Sequence, residues 1–117
     1  MRNISFMLTQ PQIRDRSKTV TRRLGWATLQ PGTLLRGVEK AQGLKKGESI
    51  RPLCIVRVED VRRERLDAIT PEDCAREGFP ELTPAEFVAM FCAHMKPCQP
   101  HWLVTRIAFS YVEQAVG

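Results

Sequence analysis

The chain has 117 residues, 43% of them hydrophobic and 26% charged, which is one domain's worth of ordinary globular material with a single modest core. No run of about 18 apolar residues exists, which excludes a membrane-spanning helix, and residues 1–6 carry no signal-peptide apolar segment, so a cytoplasmic place is expected. The formal net charge of +5 and pI of about 9.4 favour an anionic partner, nucleic acid being the common one.

Residues 4–9 alternate apolar and polar and predict a first strand. Residues 10–17 are polar, with Pro11 near their start, and suit a short helix or turn. Residues 19–24 alternate β-branched side chains with arginine and predict a second strand. Pro31-Gly32 is a turn signal ahead of a third strand at 33–38. Residues 41–49, with Gly43, Lys45, Lys46 and Gly47, predict a mobile loop. Residues 51–61 read as a longer strand with Cys54, Val56 and Val58 on one face.

Two helices follow. Thr70-Pro71-Glu72-Asp73 is a cap with proline at the first helical position, and Gly78 is the stop. Thr83-Pro84-Ala85-Glu86 is a full capping box. It places Phe87, Met90 and Phe91 on one face, with Met95 a turn further on and Lys96-Pro97 as the end. Residues 101–113 read as the last strand, with Leu103, Ile107, Phe109 and Tyr111 inward. One domain over residues 1–117 of class α+β is expected, with five or six strands and two or three flanking helices. Strands that many in so short a chain tend to close into a small barrel.

Cys54, Cys74, Cys92 and Cys98 read as reduced thiols, not as a disulfide framework. Cys92, His94, Cys98 and His101 lack the usual zinc knuckle, and Cys92 and His94, two apart on a helix, face apart; no metal is expected, and no cofactor. Residues 43–49 have the composition of a phosphate loop without its spacing. Nothing around the two histidines forms a nucleophile triad.

The densest chemistry lies at residues 14–23, where five cationic side chains and three hydroxyls occur within ten positions. One reading is a solvated basic edge strand. The other is a set of phosphate and sugar contacts, which use guanidinium groups and hydroxyls together. Lys18, desolvated beside other cations, would lose proton affinity and could act as a base towards Thr21. The two are three apart, so they share a pocket only if Lys18 precedes the regular strand. Glu77 sits at a predicted helix C-terminus, where an acid opposes the helix dipole at a cost of about 0.3–1 kcal/mol. Such a misfit suits a functional proton donor; the other reading is a surface pair with an arginine. Trp26 and Trp102 read as core or pocket-wall residues.

Four segments together resemble the ASCH family, relatives of the PUA RNA-binding domain. They are Ser17-Lys18-Thr19-Val20-Thr21-Arg22-Arg23, the strand at 33–38, Ile69-Thr70-Pro71-Glu72-Asp73-Cys74-Ala75-Arg76-Glu77-Gly78-Phe79, and Val104-Thr105-Arg106-Ile107-Ala108-Phe109. The resemblance covers nearly the whole chain. Arg22-Arg23-Leu24-Gly25-Trp26 is similar to short phage and prophage members. The resemblance implies a PUA-like barrel with a cleft beside the first helix, and RNA-related work. One bacterial branch comprises amidohydrolases that remove the acetyl group from N4-acetylcytidine with a lysine, a threonine and a glutamate. Matching its motifs to this chain gives Lys18, Thr21 and Glu77 as catalytic residues. The implied partner is RNA or a modified nucleoside, held by Arg16, Thr19, Arg22, Arg23, Trp26 and Arg106. A non-catalytic RNA-binding module using the same basic cleft is the alternative. The chain departs from that branch at Asp15-Arg16-Ser17, where a glycine is frequent, and in longer segments at 41–49 and 80–95.

Overall fold

Five strands and three helices form in a computed structural model that describes residues 1–113. In chain order they are β1 (Arg2–Ser5), α1 (Gln10–Arg14), β2 (Val20–Arg23), β3 (Leu34–Val38), β4 (Pro52–Arg65), α2 (Pro71–Arg76), α3 (Pro84–His94) and β5 (Leu103–Tyr111). A single 3-10 turn, Leu66–Ala68, joins β4 to α2. The strands make one sheet in the order β1-β3-β4-β5-β2. The β1–β3 pair is parallel and the other three pairs are antiparallel. The α+β class is as expected, and the sheet curls into a half-barrel. It does not close: β1 and β2 are the two edges, and no ladder joins them. A side chain spans the seam instead, with Arg23 NH2 donating to the Ser5 carbonyl at 2.7 Å.

Two apolar clusters fill the molecule. The first lies inside the curl and joins Ile4, Phe6, Ile13, Leu35, Val56, Val58, Ile107 and Phe109. The second joins Leu66, Ile69, Cys74, Phe87, Val88, Phe91, Cys98 and Val104, and so docks the helices onto the far end of β4 and β5. Full burial of one such side chain contributes about 1.5–3 kcal/mol, and Phe87, Val88 and Phe91 together hold α3 in place. The helix starts follow their caps. Thr70 Oγ1 accepts from Asp73 N at 3.2 Å, and both bonds of the Thr83–Glu86 box form.

Three expectations need correction. β1 stops at Ser5 and does not reach residue 9, because Thr9 N–H turns back to the Phe6 carbonyl at 3.0 Å and Thr9 then precedes α1 as its cap. β4 continues past residue 61 to Arg65, since its pairing with β5 runs on to Arg65 opposite Leu103. Leu103 is not an inner residue: it is 56% exposed, and Val104 beside it is 0% exposed. β5 faces the helix cluster through Val104 and the curl through Ile107 and Phe109, which have opposite parity. Residues 41–49 form bends and turns with no strand or helix.

Candidate active-site cleft

A cleft of about 710 Å³ runs along the open seam, lined by residues of β1, β2 and the α2–α3 region. Lys18 lies just before β2 and so escapes its alternation; Lys18 and Thr21 both line the cleft. Its backbone is pinned from three sides. Lys18 N donates to the Gln12 carbonyl at 3.2 Å, Thr19 N to the Arg76 carbonyl at 2.8 Å, and Tyr111 Oη to the Lys18 carbonyl at 2.6 Å. The middle contact ties the approach to β2 to the end of α2. Glu77 is the residue that caps that end, and it meets Lys18 there.

Lys18 Nζ donates to Glu77 Oε1 and to the Glu77 carbonyl, each at 2.8 Å. Glu77 Oε2 accepts from Arg22 NH1 at 3.1 Å. Arg22 NH2 also donates to Asp73 Oδ2 at 2.6 Å and to Glu64 Oε2 at 3.4 Å. Asp73 takes Arg106 Nε on Oδ2 at 2.7 Å, with Arg106 NH2 and Arg76 NH1 on Oδ1 at 3.0 and 2.9 Å. Lys18, Thr21, Arg22, Asp73 and Glu77 are each 3% exposed. Although β2 is an edge strand, the reading of its basic residues as a solvated face therefore fails, as does that of Glu77 as half of a surface pair. Desolvation pushes the Lys18 ammonium below its ordinary pKa; the Glu77 carboxylate opposes this, and the Arg23 and Arg22 charges add to it. The Arg106 hydrogen bonds hold the Asp73 carboxyl far below the usual range, helped by Arg22 and Arg76 against its own desolvation.

Buried charge of this kind adds little net stability over an apolar core. Its presence in a cleft, with a lysine displaced from its ordinary pKa, marks a candidate for chemistry. Thr21 Oγ1 accepts from Arg23 Nε at 3.1 Å. Among the described residues its own hydroxyl hydrogen has no acceptor. Phe79, Phe87, Met90, Phe91 and Met95, from α3 and the segments beside it, add apolar lining to the cleft, with His94 among them.

Of the sequence-predicted binding residues, Arg22, Arg23 and Trp26 line the cleft. Trp26 has a left-handed backbone with φ 57°, and the Arg2 guanidinium lies 3.7 Å from its ring centroid. Arg16, Thr19 and Arg106 do not line it. Arg16 pairs with Glu113 and approaches the Tyr111 ring on the exterior. Thr19 joins backbone to backbone, its carbonyl accepting from Phe109 N at 3.0 Å. Arg106 stands behind the site on Asp73. Arg22 also needs correction as a phosphate ligand, because three carboxylates occupy its terminal nitrogens. Asp73 and the α3 wall were missed. Asp73 in a first helical turn reads as an ordinary helix-start acid, and nothing local marks its long-range partners.

Gly78 holds Glu77 in place. Its φ is 99°, and a Cβ there would meet Gln12 Cγ at 2.7 Å. Gly78→Ala should cost about 2 kcal/mol or more, from left-handed strain plus crowding. Urea unfolding measures this; a loss under about 0.5 kcal/mol, the size of an ordinary surface change, would contradict it.

Among the described residues, no group of three or more His, Cys, Asp and Glu could hold a metal, and no helix is long and apolar enough to cross a membrane. The four cysteines are free thiols. No family model and no curated protein matches the chain. Three solved chains do, two of them as follows. A DUF984 protein from Enterococcus faecalis V583 superposes with a TM-score of 0.65 at 16% identity, covering 96% of this chain and 76% of that one. An ASCH domain from Lactobacillus crispatus JV V101 gives 0.64 at 16% identity, covering 94% and 78%. At that identity the likeness is one of fold: the chain is folded as an ASCH domain is.

Proposed function

We propose that this ASCH-fold chain recognises RNA or a modified nucleoside and deacylates amides of the N4-acetylcytidine type through Lys18, Thr21 and Glu77. The observation that carries the reading is the buried Lys18–Glu77 contact at 2.8 Å in a cleft that Thr21 also lines. Thr21 Oγ bonds to the acyl carbon while Lys18 Nζ takes its proton. The acyl carbon–nitrogen bond then breaks, and the proton passes by way of Glu77 to the leaving amine. Water, deprotonated by Lys18, attacks the acyl-Thr21 ester; carboxylate leaves and Thr21 regains its hydrogen. The apolar side chains of α3 offer a surface to a base and an acyl chain.

Incubating the protein with N4-acetylcytidine and following cytidine by chromatography tests the reading. Cytidine release that disappears with Thr21→Val is the expected result. If the unmodified protein releases none from several acylated nucleosides and yet retains RNA, the non-catalytic module replaces this reading. Arg2 and Lys40 favour that second reading, because they line the same cleft without a carboxylate partner among the described residues.

A further inference from the structure

Arg23 is the one cleft-lining partner of Thr21 that the scheme above leaves without a task. Its Nε donates to Thr21 Oγ1 at 3.1 Å and its NH2 to the Ser5 carbonyl at 2.7 Å. Among the described residues no carboxylate pairs with it, and its NH1 has no acceptor. Its neighbour Arg22 lines the same cleft and differs in being neutralised by three carboxylates. Arg23 is half-buried in the cleft, and a guanidinium partly withdrawn from water without a counter-ion gains from an anion that joins it. Desolvation pushes the Arg23 pKa down to about 10, with the Glu77 charge only partly offsetting this. Glu77 cannot serve as its counter-ion, because both of its oxygens are engaged by Lys18 and Arg22.

We infer that Arg23 is a built anion site beside Thr21, which holds the acyl oxygen as it becomes negative and then the carboxylate product. As Thr21 Oγ bonds to the acyl carbon, the carbonyl π pair moves onto oxygen. That oxygen is attached to the atom that Thr21 has just bonded, so it falls within reach of a donor already 3.1 Å from Oγ1. The free NH1 of Arg23 then supplies a charged donor to a charge absent from the substrate, which is what makes such donors catalytic. The same unpaired guanidinium suits the charge of a carboxylate. This assignment rests on the deacylation reading for its first half, and on Arg23 alone for its second.

The test uses Arg23→Gln and Arg23→Lys in the whole protein, with two readouts. The first is N4-acetylcytidine turnover. Arg23→Gln should lose about 100- to 1000-fold in kcat, with KM little changed. The second is a titration with butyrate, chosen to suit a cationic group in a cleft with an apolar wall, followed by chemical shifts and with no turnover required. Binding should be measurable in the unmodified protein and lost in Arg23→Gln. Because Arg23 also ties β2 to Ser5, thermal melting accompanies both variants. Where Arg23→Gln melts early, Arg23→Lys decides, since an ammonium keeps the charge and loses the planar guanidinium that reaches Thr21, Ser5 and the anion together. It should bind butyrate more weakly than the parent and turn over more slowly. Parent-like kcat and butyrate affinity in Arg23→Lys would overturn the inference. An unmodified protein that binds butyrate through Arg23 and hydrolyses nothing would leave the anion site standing and remove the deacylation reading. Absence of butyrate binding in the unmodified protein would remove the anion site.

Discussion

Lys18→Arg should abolish deacylation, by about 1000-fold or more, and leave nucleoside binding measurable. The arginine keeps the charge opposite Glu77 and cannot deprotonate near neutral pH. Its extra bulk at a 3% exposed position should cost about 1–3 kcal/mol in stability, so melting must accompany the rates. Lys18→Met supplies the converse control, since it removes the base and leaves Glu77 bonded to Arg22. In the unmodified protein the base is active when neutral, so kcat/KM should rise with pH. The rise should level off below 10.5, the ordinary lysine value, because desolvation lowers Lys18. A profile that climbs without levelling through that value, or full turnover by Lys18→Arg, would show that the base is another group.

The largest stability effect belongs to Asp73. Asp73→Leu should cost about 3–5 kcal/mol, since it leaves Arg22 and Arg106 buried without their common counter-ion. Asp73→Asn should cost less and should change the acid limb. The folded Asp73 carboxyl titrates below its unfolded value of 3.8. Its stabilisation is therefore complete above that value and is lost as pH falls through the lower, folded one. Urea midpoints measured from neutral pH down through the carboxylate range should fall less steeply in Asp73→Asn than in the parent. Parallel acid limbs would mean that Asp73 is not the carboxylate that the arginines hold.

The candidate site was legible in the sequence to an unequal degree. Lys18, Thr21 and Glu77 were nameable from the resemblance, and parity required Lys18 to lie ahead of β2 if it was to share a pocket with Thr21. Both helix starts followed from local caps, which is where short-range chemistry decides structure. The ends of β1 and β4 did not, because pairing across the sheet sets them. Leu103 was misread because β5 buries opposite faces at its two ends, which one periodic pattern cannot express. The roles of the arginines were hidden for the same reason. Arg22 and Arg23 are adjacent and chemically identical, and only residues 42 to 55 positions from Arg22 tell them apart: Glu64, Asp73 and Glu77 neutralise the first and leave the second unpaired.

In the proposed reaction Thr21, served by Lys18 and Glu77, forms a covalent acyl intermediate. Rapid acid quenching of the protein with N4-acetylcytidine, followed by peptide mass spectrometry, tests it most directly. The expected result is one acetyl group on Thr21, present in the parent protein and absent in Lys18→Arg. Cytidine release with Thr21 unmodified at every quench time, or full release by Thr21→Val, would contradict it.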